Sequence, residues 1–341
     1  MKYIGNKSRL IGFIEDCLID SEINYKNALV YDLFSGTGSV SEFFLKNNCD
    51  VLSCDNMNYA IVEQYRKLFF REEPVFTELK EIIGLEKLDD ILEYLNNLEG
   101  KKGYFFENFC EDGKYKRKFF SSENAEKIDA IREKIEEWKD VLPSEKYMLL
   151  VGILMNSADF VSNTAGTYGA YLKIWRSMAL KKLKLEKAEF INSGSIKLYV
   201  DDVISFVDKN KEADIVYLDP PYNTRQYPAN FSVLESIVVN DNQVLKGKTG
   251  LRNYEKQKSK FAIKKEVNNE FKKLISKINA RYIIMSYSTE GILNKDFIKE
   301  VLDNRGVTKV YNTSYRRFKT NAWTNKNTNL NEILFVCKVG M

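Results

Sequence analysis

The 341 residues predict an α/β fold: an open, mostly parallel sheet interrupted by an inserted, mainly helical domain. Three observations carry that expectation. Short apolar runs of strand length recur along the chain and, within residues 1–64 and 191–341, alternate with segments of helical spacing. Asp32, Asp55, Asp202 and Asp219 each stand at the carboxyl end of such a run, where ligands bind on open α/β sheets. From 65 to 190 the alternation stops and charged helical stretches replace it.

The elements follow in order. A helix-like opening, Ser8 to Ile19, precedes an apolar strand from Leu29 that ends at Asp32. A turn with Gly36 and Gly38 leads into a helix over Val40–Leu45; glycines there let the backbone approach a ligand closely. Cys49–Cys54 reads as the next strand and ends at Asp55, an acid about 20 positions past the glycines and so suited to ribose hydroxyls. The third glycine of the dinucleotide fingerprint is missing, since Ser39 and Ser41 follow. That departure argues against a pyrophosphate on the helix N-terminus and suits a nucleoside without phosphates, such as S-adenosylmethionine.

Residues 61–99 have helical spacing and high charge. Residues 100–120 mix basic and aromatic side chains around Gly113 and read as a hairpin. Ser121 or Ser122 can cap a helix whose Ile128, Ile131, Ile135 and Trp138 form a buried stripe without further role. An apolar helix, Lys146 to Asp159, gives way to a polar, glycine-broken loop over 161–173. Strands resume at 195–200, 213–218, 280–287, 307–311 and 332–337, with helices over Asn269–Ile278 and Asn294–Asn304 between them.

Asp219-Pro220-Pro221-Tyr222 is the most informative stretch. It follows the buried run 213–218, and each proline fixes its own φ, removes a donor and restricts the residue before it. The chain leaves the strand in one stiff conformation, with a carboxylate and carbonyls to accept the two hydrogens of an exocyclic amino group and an aromatic ring to stack on its base. An ordinary proline-bounded strand end is the plainer reading of these four residues alone.

Composition sets limits. The chain is long enough, and at 44% hydrophobic content apolar enough, to bury a sizeable core. It carries no long uncharged apolar stretch and no signal-peptide pattern, so neither a membrane span nor secretion is expected, and a cytoplasmic location is. Cys17, Cys49, Cys54, Cys110 and Cys337 include no Cys-x-x-Cys pair and there is no histidine, so reduced thiols and no metal site are expected. The absent histidine also excludes Ser-His-Asp and Cys-His catalysis. The net charge of +4 is modest, and clustering matters more than the sum.

Three motifs occur in one order: Tyr3-Ile4-Gly5-Asn6-Lys7-Ser8-Arg9-Leu10, Asp32-Leu33-Phe34-Ser35-Gly36-Thr37-Gly38 and Asp219-Pro220-Pro221-Tyr222. The set resembles the Dam-like (α-group) class of DNA adenine-N6 methyltransferases, and Asn223–Tyr227 resembles the restriction–modification branch. The resemblance covers roughly 1–60 and 195–341. It implies a Rossmann-like, S-adenosylmethionine-dependent catalytic domain over 1–64 and 191–341, with 65–190 as an inserted target-recognition domain and a smaller DNA-facing insert around 225–265. It implies transfer of the cofactor's methyl group to N6 of an adenine flipped out of double-stranded DNA. Asp219 and the Pro220 carbonyl would accept the amino hydrogens, Pro221 would hold the turn, and Tyr222 would stack on the base. Tyr3 and Lys7 would meet the methionine part of the cofactor, Asp55 its ribose, and Asp202 (with Asp201 as the alternative) its adenine; Asp32, Phe34, Ser35, Gly36, Thr37 and Gly38 would line the pocket, with Asp219 bordering it. Tyr3 departs from the tryptophan common in Dam proteins but keeps an aromatic face.

Expected DNA contacts are Lys116 and Arg117, the loop residues Asn163, Thr167 and Tyr168, the post-motif residues Arg225, Gln226 and Tyr227, then Lys256 and Lys258, and Arg316 and Arg317. Lysine and arginine on phosphates give sequence-blind affinity, whereas a few contacts to base edges give specificity. The expected state is a monomer or weak dimer, and a separately encoded restriction endonuclease is a partner such a chain can have. The alternatives are methylation of cytosine N4, RNA adenine or protein glutamine, a catalytically silent DNA-binding module, and a nucleotide-dependent dehydrogenase. The leading Asp speaks against cytosine and glutamine, the intact strand-end acids against the silent module, and the missing third glycine with the absent histidine against the dehydrogenase.

Overall fold

The computed structural model describes residues 7–210, 212–316 and 329–340, with side chains left aside at 314–316 and 329–331. Two compact units emerge. One comprises Gly5–Ile61, Ser193–Gln226 and Lys256–Met341; the other includes Val62–Asn192 and Tyr227–Glu255. The chain thus leaves the first unit twice, and the second excursion returns to the unit begun by the first.

The first unit is built on a sheet whose described strands are β1 (Leu29–Leu33), β2 (Asp50–Asp55), β3 (Ser195–Val200), β4 (Ala213–Leu218), β5 (Ala280–Ser288), β6 (Gly306–Arg316) and β7 (Asn329–Val339). Their order is β3-β2-β1-β4-β5-β7-β6. β3, β2, β1, β4 and β5 pair in parallel, and β7 runs antiparallel to both β5 and β6. The mostly parallel α/β sheet read from the sequence is therefore the fold observed. Central strands read as continuous apolar runs because both faces are covered: Ile215, Val216 and Leu218 of β4 and Ile283, Ile284 and Met285 of β5 are buried. β1 lies between β2 and β4, so the crossovers leaving it diverge, and at that point open sheets form a ligand crevice at the strand carboxyl ends. Asp32 and Asp55 fall at these ends, with Asp219 following β4.

The second unit is helical, with Ser122–Glu137 and Ser144–Phe160 its long helices. Ser121 accepts from the Asn124 amide as N-cap of the former, and Ile128, Ile131 and Ile135 are buried as their spacing requires. The hairpin expected over 100–120 is not formed: Tyr104–Phe109 is a helix, followed by turns and a single parallel bridge from Cys110 to Phe120. Asp129 decides this from outside the segment. Its carboxylate accepts the Gly103, Phe105 and Phe106 amides at 3.0, 2.8 and 2.8 Å, satisfying donors at the new helix's start, while Phe105, Phe106 and Phe109 are buried. Gly113 is required, but by close packing: a Cβ there would meet the Phe106 carbonyl oxygen at 2.0 Å. No helix among the described residues is long and apolar enough to cross a membrane.

Candidate active site

The glycine turn after β1 is backbone-led. Phe34 adopts φ +63°, Gly36 +53° and Gly38 +78°, so three of five successive residues from 34 to 38 are left-handed, a conformation glycine adopts without Cβ strain. Asp55 at the end of β2 fixes the turn, accepting the Gly36 amide at 2.9 Å through one oxygen and the Met57 amide at 2.9 Å through the other. Phe34 packs edge-to-face on Phe261 with ring centroids 4.9 Å apart. Behind the turn Asp32, 1% exposed, accepts the Ser41 hydroxyl at 2.6 Å. Burial pushes its carboxyl up to about 7, and the neighbouring Asp219 and Asp55 charges add to the rise against the pull of Ser41.

Asp219 emerges from β4, its amide 3.4 Å from the Leu33 carbonyl of β1, so the two turns are tied side by side. Its Oδ1 is buried, 3.1 Å from Lys7 Nζ, and that contact is an ion pair in which no hydrogen bond is directed at the oxygen. Lys7 instead donates to Glu332 Oε1 of β7 at 2.8 Å, and the Ser286 hydroxyl of β5 donates to that same oxygen at 2.5 Å. Burial alone would lower the Lys7 ammonium, but Asp219 and Glu332 outweigh it and hold it well above its ordinary value. Burial likewise pushes Asp219 up to about 6; Lys7 opposes the rise, and Glu332 and Asp55 add to it. The ring of Tyr222, partly exposed, has Lys7 Nζ 5.9 Å from its centroid, and its carbonyl accepts the Ile292 amide at 3.0 Å, fixing the end of the Pro-Pro segment.

The structure thus gathers Lys7, Asp32, Asp55 and Asp219 into one cluster of acids with a single ammonium among its described members. Lys7 sits on two of the chain's own carboxylates, where the resemblance had it meeting that of the cofactor. Asp202 is exposed and caps the helix Val203–Lys209 by accepting from Ile204 and Ser205, while Asp201 pairs with Lys209 at 2.6 Å. Glu332 and Ser286 are site residues that the sequence reading missed. An acid opening a strand as apolar as Ile333–Cys337 was the available signal, because a charge at that position must find a buried partner.

Three expected DNA contacts are internal struts. Asn163 is fully buried; its side-chain amide donates to the Lys118 and Leu172 carbonyls at 3.2 and 2.9 Å and accepts from the Arg176 amide. Tyr168 is buried with its hydroxyl on Asp159 at 2.8 Å. Arg117 is 4% exposed, and its guanidinium donates to the carbonyls of Asn108, Gly247 and Lys248, bolting the turn at 247–250 to the helical unit. A polar group buried this way is there to satisfy backbone acceptors, and a phosphate cannot reach it. Gln226 spends both ends of its amide on the Ser259 backbone, at 3.1 and 2.9 Å. Lys116, Arg225, Lys256 and Lys258 are exposed, and Thr167 and Tyr227 partly so. Tyr3, Arg317 and the side chain of Arg316 lie outside the described residues.

A family model for D12 class N6 adenine-specific DNA methyltransferases matches residues 3–301. Type II methyltransferase M.FokI of Planomicrobium okeanokoites is 38% identical over 329 residues, which is 94% of this chain and 50% of that protein. Type II methyltransferase M.NlaIII of Neisseria lactamica is 36% identical over 339 residues, 97% of this chain and 96% of that one. Modification methylase StsI of Streptococcus sanguinis is 33% identical over 344 residues, 98% of this chain and 51% of that protein. The chain therefore spans about half the length of M.FokI and StsI and nearly all of M.NlaIII. With Lys7 of the first motif beside Asp219 of the third, the second and third motifs at the adjoining ends of β1 and β4, a family match over most of its length and these identities, the chain belongs to the D12 class of N6 adenine-specific DNA methyltransferases.

Proposed function

We propose that this chain transfers the methyl group of S-adenosylmethionine directly to N6 of an adenine flipped out of double-stranded DNA, as the cytoplasmic methylating half of a restriction–modification system. One observation carries the reading. A carboxylate whose Oδ1 is buried without a directed hydrogen bond, that of Asp219, stands at the head of a rigid Pro-Pro-Tyr turn, tied through the Leu33 carbonyl to the glycine turn. The chain fits a phosphate-free nucleoside cofactor: Gly36 and Gly38 add no side chain to the turn, and Asp55 sits fixed at the end of β2 where ribose hydroxyls would need an acceptor. When bound, that cofactor supplies an electrophilic methyl group on a sulfonium.

The rest falls to the protein. The lone pair of an adenine amino nitrogen is delocalised into its ring, so the nitrogen is a poor nucleophile. The Asp219 carboxylate and the Pro220 carbonyl accept its two N–H bonds and favour a tetrahedral nitrogen whose lone pair points along the line of attack. Tyr222 stacks on the extruded base, offsetting part of a flipping cost of a few kcal/mol. Positioning and electrostatics suffice, and no activated Ser or Cys is required. Lys7 keeps an N–H for the methionine carboxylate beyond the one it gives to Glu332, and Asp202 is the acid for the cofactor's adenine. Val62–Asn192 with Tyr227–Glu255 is the target-recognition part, with Lys116 and the exposed side chains Arg225, Lys256 and Lys258 among the phosphate contacts. A separately encoded endonuclease is the companion of this activity, and the protein works as a monomer or weak dimer.

Labelled S-adenosylmethionine and unmethylated DNA, followed by single-molecule sequencing that reports modified bases, test the proposal. Methylated adenine at one short motif is expected. Label in cytosine or only in RNA, or cofactor binding without any labelled base, overturns the reaction.

A further inference from the structure

Lys7 divides its attention unequally. Its ammonium makes a directed hydrogen bond to Glu332 at 2.8 Å, whereas Asp219 Oδ1 lies 3.1 Å away and receives none. Glu332 is 1% exposed and is itself held by the Ser286 hydroxyl, a diagonal neighbour across the β5–β7 pairing, where Ser288 faces Glu332 directly. A charge buried this deeply at the head of an apolar strand has a large desolvation cost, which the Lys7 contact offsets only because the geometry is good. Glu332 therefore costs the fold something that a neutral residue would not, and what it does is draw Lys7 away from Asp219.

We propose that Glu332 is a positioning residue of the transfer site: together with Ser286 it takes the directed hydrogen bond of the Lys7 ammonium, keeps that ammonium from closing on Asp219, and so leaves the Asp219 carboxylate a strong acceptor for the target amino group. The inference rests on the reading of Asp219 given above. An ammonium committed wholly to Asp219 would occupy its lone pairs and reduce its basicity, and both effects weaken acceptance of an N–H bond. The groups acting on Asp219 are Lys7 from the N-terminal segment, Asp32 of β1, Asp55 of β2, Tyr217 of β4 and Glu332 of β7. Of these, Lys7 lowers its proton affinity, and Glu332 raises it.

The test is the pH dependence of kcat for Glu332→Gln, in the full chain with saturating labelled S-adenosylmethionine and unmethylated DNA. Activity requires ionised Asp219, so kcat falls as pH drops through its pKa. Removing the Glu332 charge leaves Lys7 to Asp219 alone, lowers that pKa and moves the acid limb to lower pH by about half a unit or more, with kcat at neutral pH reduced about tenfold. Cofactor Kd by calorimetry should stay within about threefold of wild type. Glu332→Asp keeps the charge one methylene farther away and should move the limb the same way by less; where Glu332→Gln does not melt cooperatively, this variant carries the test. A lowered kcat with an unmoved limb means a merely structural role and overturns the inference, as do a limb displaced upward and an unchanged kcat. Asp219→Ala, run in parallel, separates the two claims: retained turnover there removes the acceptor reading itself, whereas its loss together with an unmoved limb in the Glu332 variants removes only the role of Glu332.

Discussion

Lys7, at 5% exposure in the sheet unit, and Arg117, at 4% in the helical unit, are buried to nearly the same depth, yet they do opposite things. Lys7 meets carboxylates, Asp219 and Glu332, so its charge sets the proton affinity of its neighbours. Arg117 meets carbonyls, those of Asn108, Gly247 and Lys248, and its planar fork acts as a brace between a helix end and a turn. Both lie in stretches that the sequence makes attractive for function, a family motif and a basic–aromatic run. What separates a tuning charge from a bolt is the chemistry of its partners, and those partners come from elsewhere in the chain.

The largest effect that could break this contrast lies at Asp219. Asp219→Ala should reduce the methyl-transfer rate by about 10³-fold, since it removes an acceptor needed at the reacting nitrogen, while thermal melting stays close to wild type. A folded variant with near-normal turnover would strip the Lys7 cluster of its role.

Arg117→Ala should cost about 2–4 kcal/mol of stability, read as a lower urea midpoint with unchanged slope, because three carbonyls lose charged donors at once. Arg117→Lys should recover little, an ammonium being unable to reproduce the fork. If stability held and only DNA affinity fell, Arg117 would return to the phosphate contacts.

Asp32 sharpens the comparison from the side of the acids. Its folded carboxyl is raised to about 7, above its unfolded value, so its contribution to stability is complete below about pH 4 and is lost as pH rises toward 7. Asp32→Asn, which keeps an acceptor for Ser41, should gain about 2 kcal/mol at pH 8 and flatten the stability profile between pH 4 and 7. An unchanged profile would mean that Asp32 titrates normally.

The smallest effect belongs to Lys116, exposed one residue before Arg117. Lys116→Ala should weaken DNA binding a few-fold and lower the slope of log affinity against log salt by about one, with stability within about 0.5 kcal/mol of wild type. A stability loss equal to that of Arg117→Ala would erase the distinction between neighbours.

Much of the fold was legible in the chain alone. Each described strand of the sheet was anticipated as a strand-like run, although β6 and β7 extend beyond the expected 307–311 and 332–337, and the Gly-x-Gly and Pro-Pro turns fixed where β1 and β4 stop, because strand burial and turn chemistry are written in adjacent residues. The same locality misled over 100–120, where aromatic and basic residues around a glycine suggested a hairpin and Asp129 capped a helix instead. In Arg117, Asn163 and Tyr168 the sequence showed the right chemistry for DNA and gave no means of seeing that each side chain was already occupied.

The sequence by itself therefore determined the sheet, the motif positions and the family to which they point, since each depends on residues a few positions apart. Only the tertiary structure decided which charges are internal and which acid shares Lys7. Burial and pairing are properties of neighbours in space, and Lys7 and Glu332 stand 325 positions apart, brought together where β7 inserts between β5 and β6.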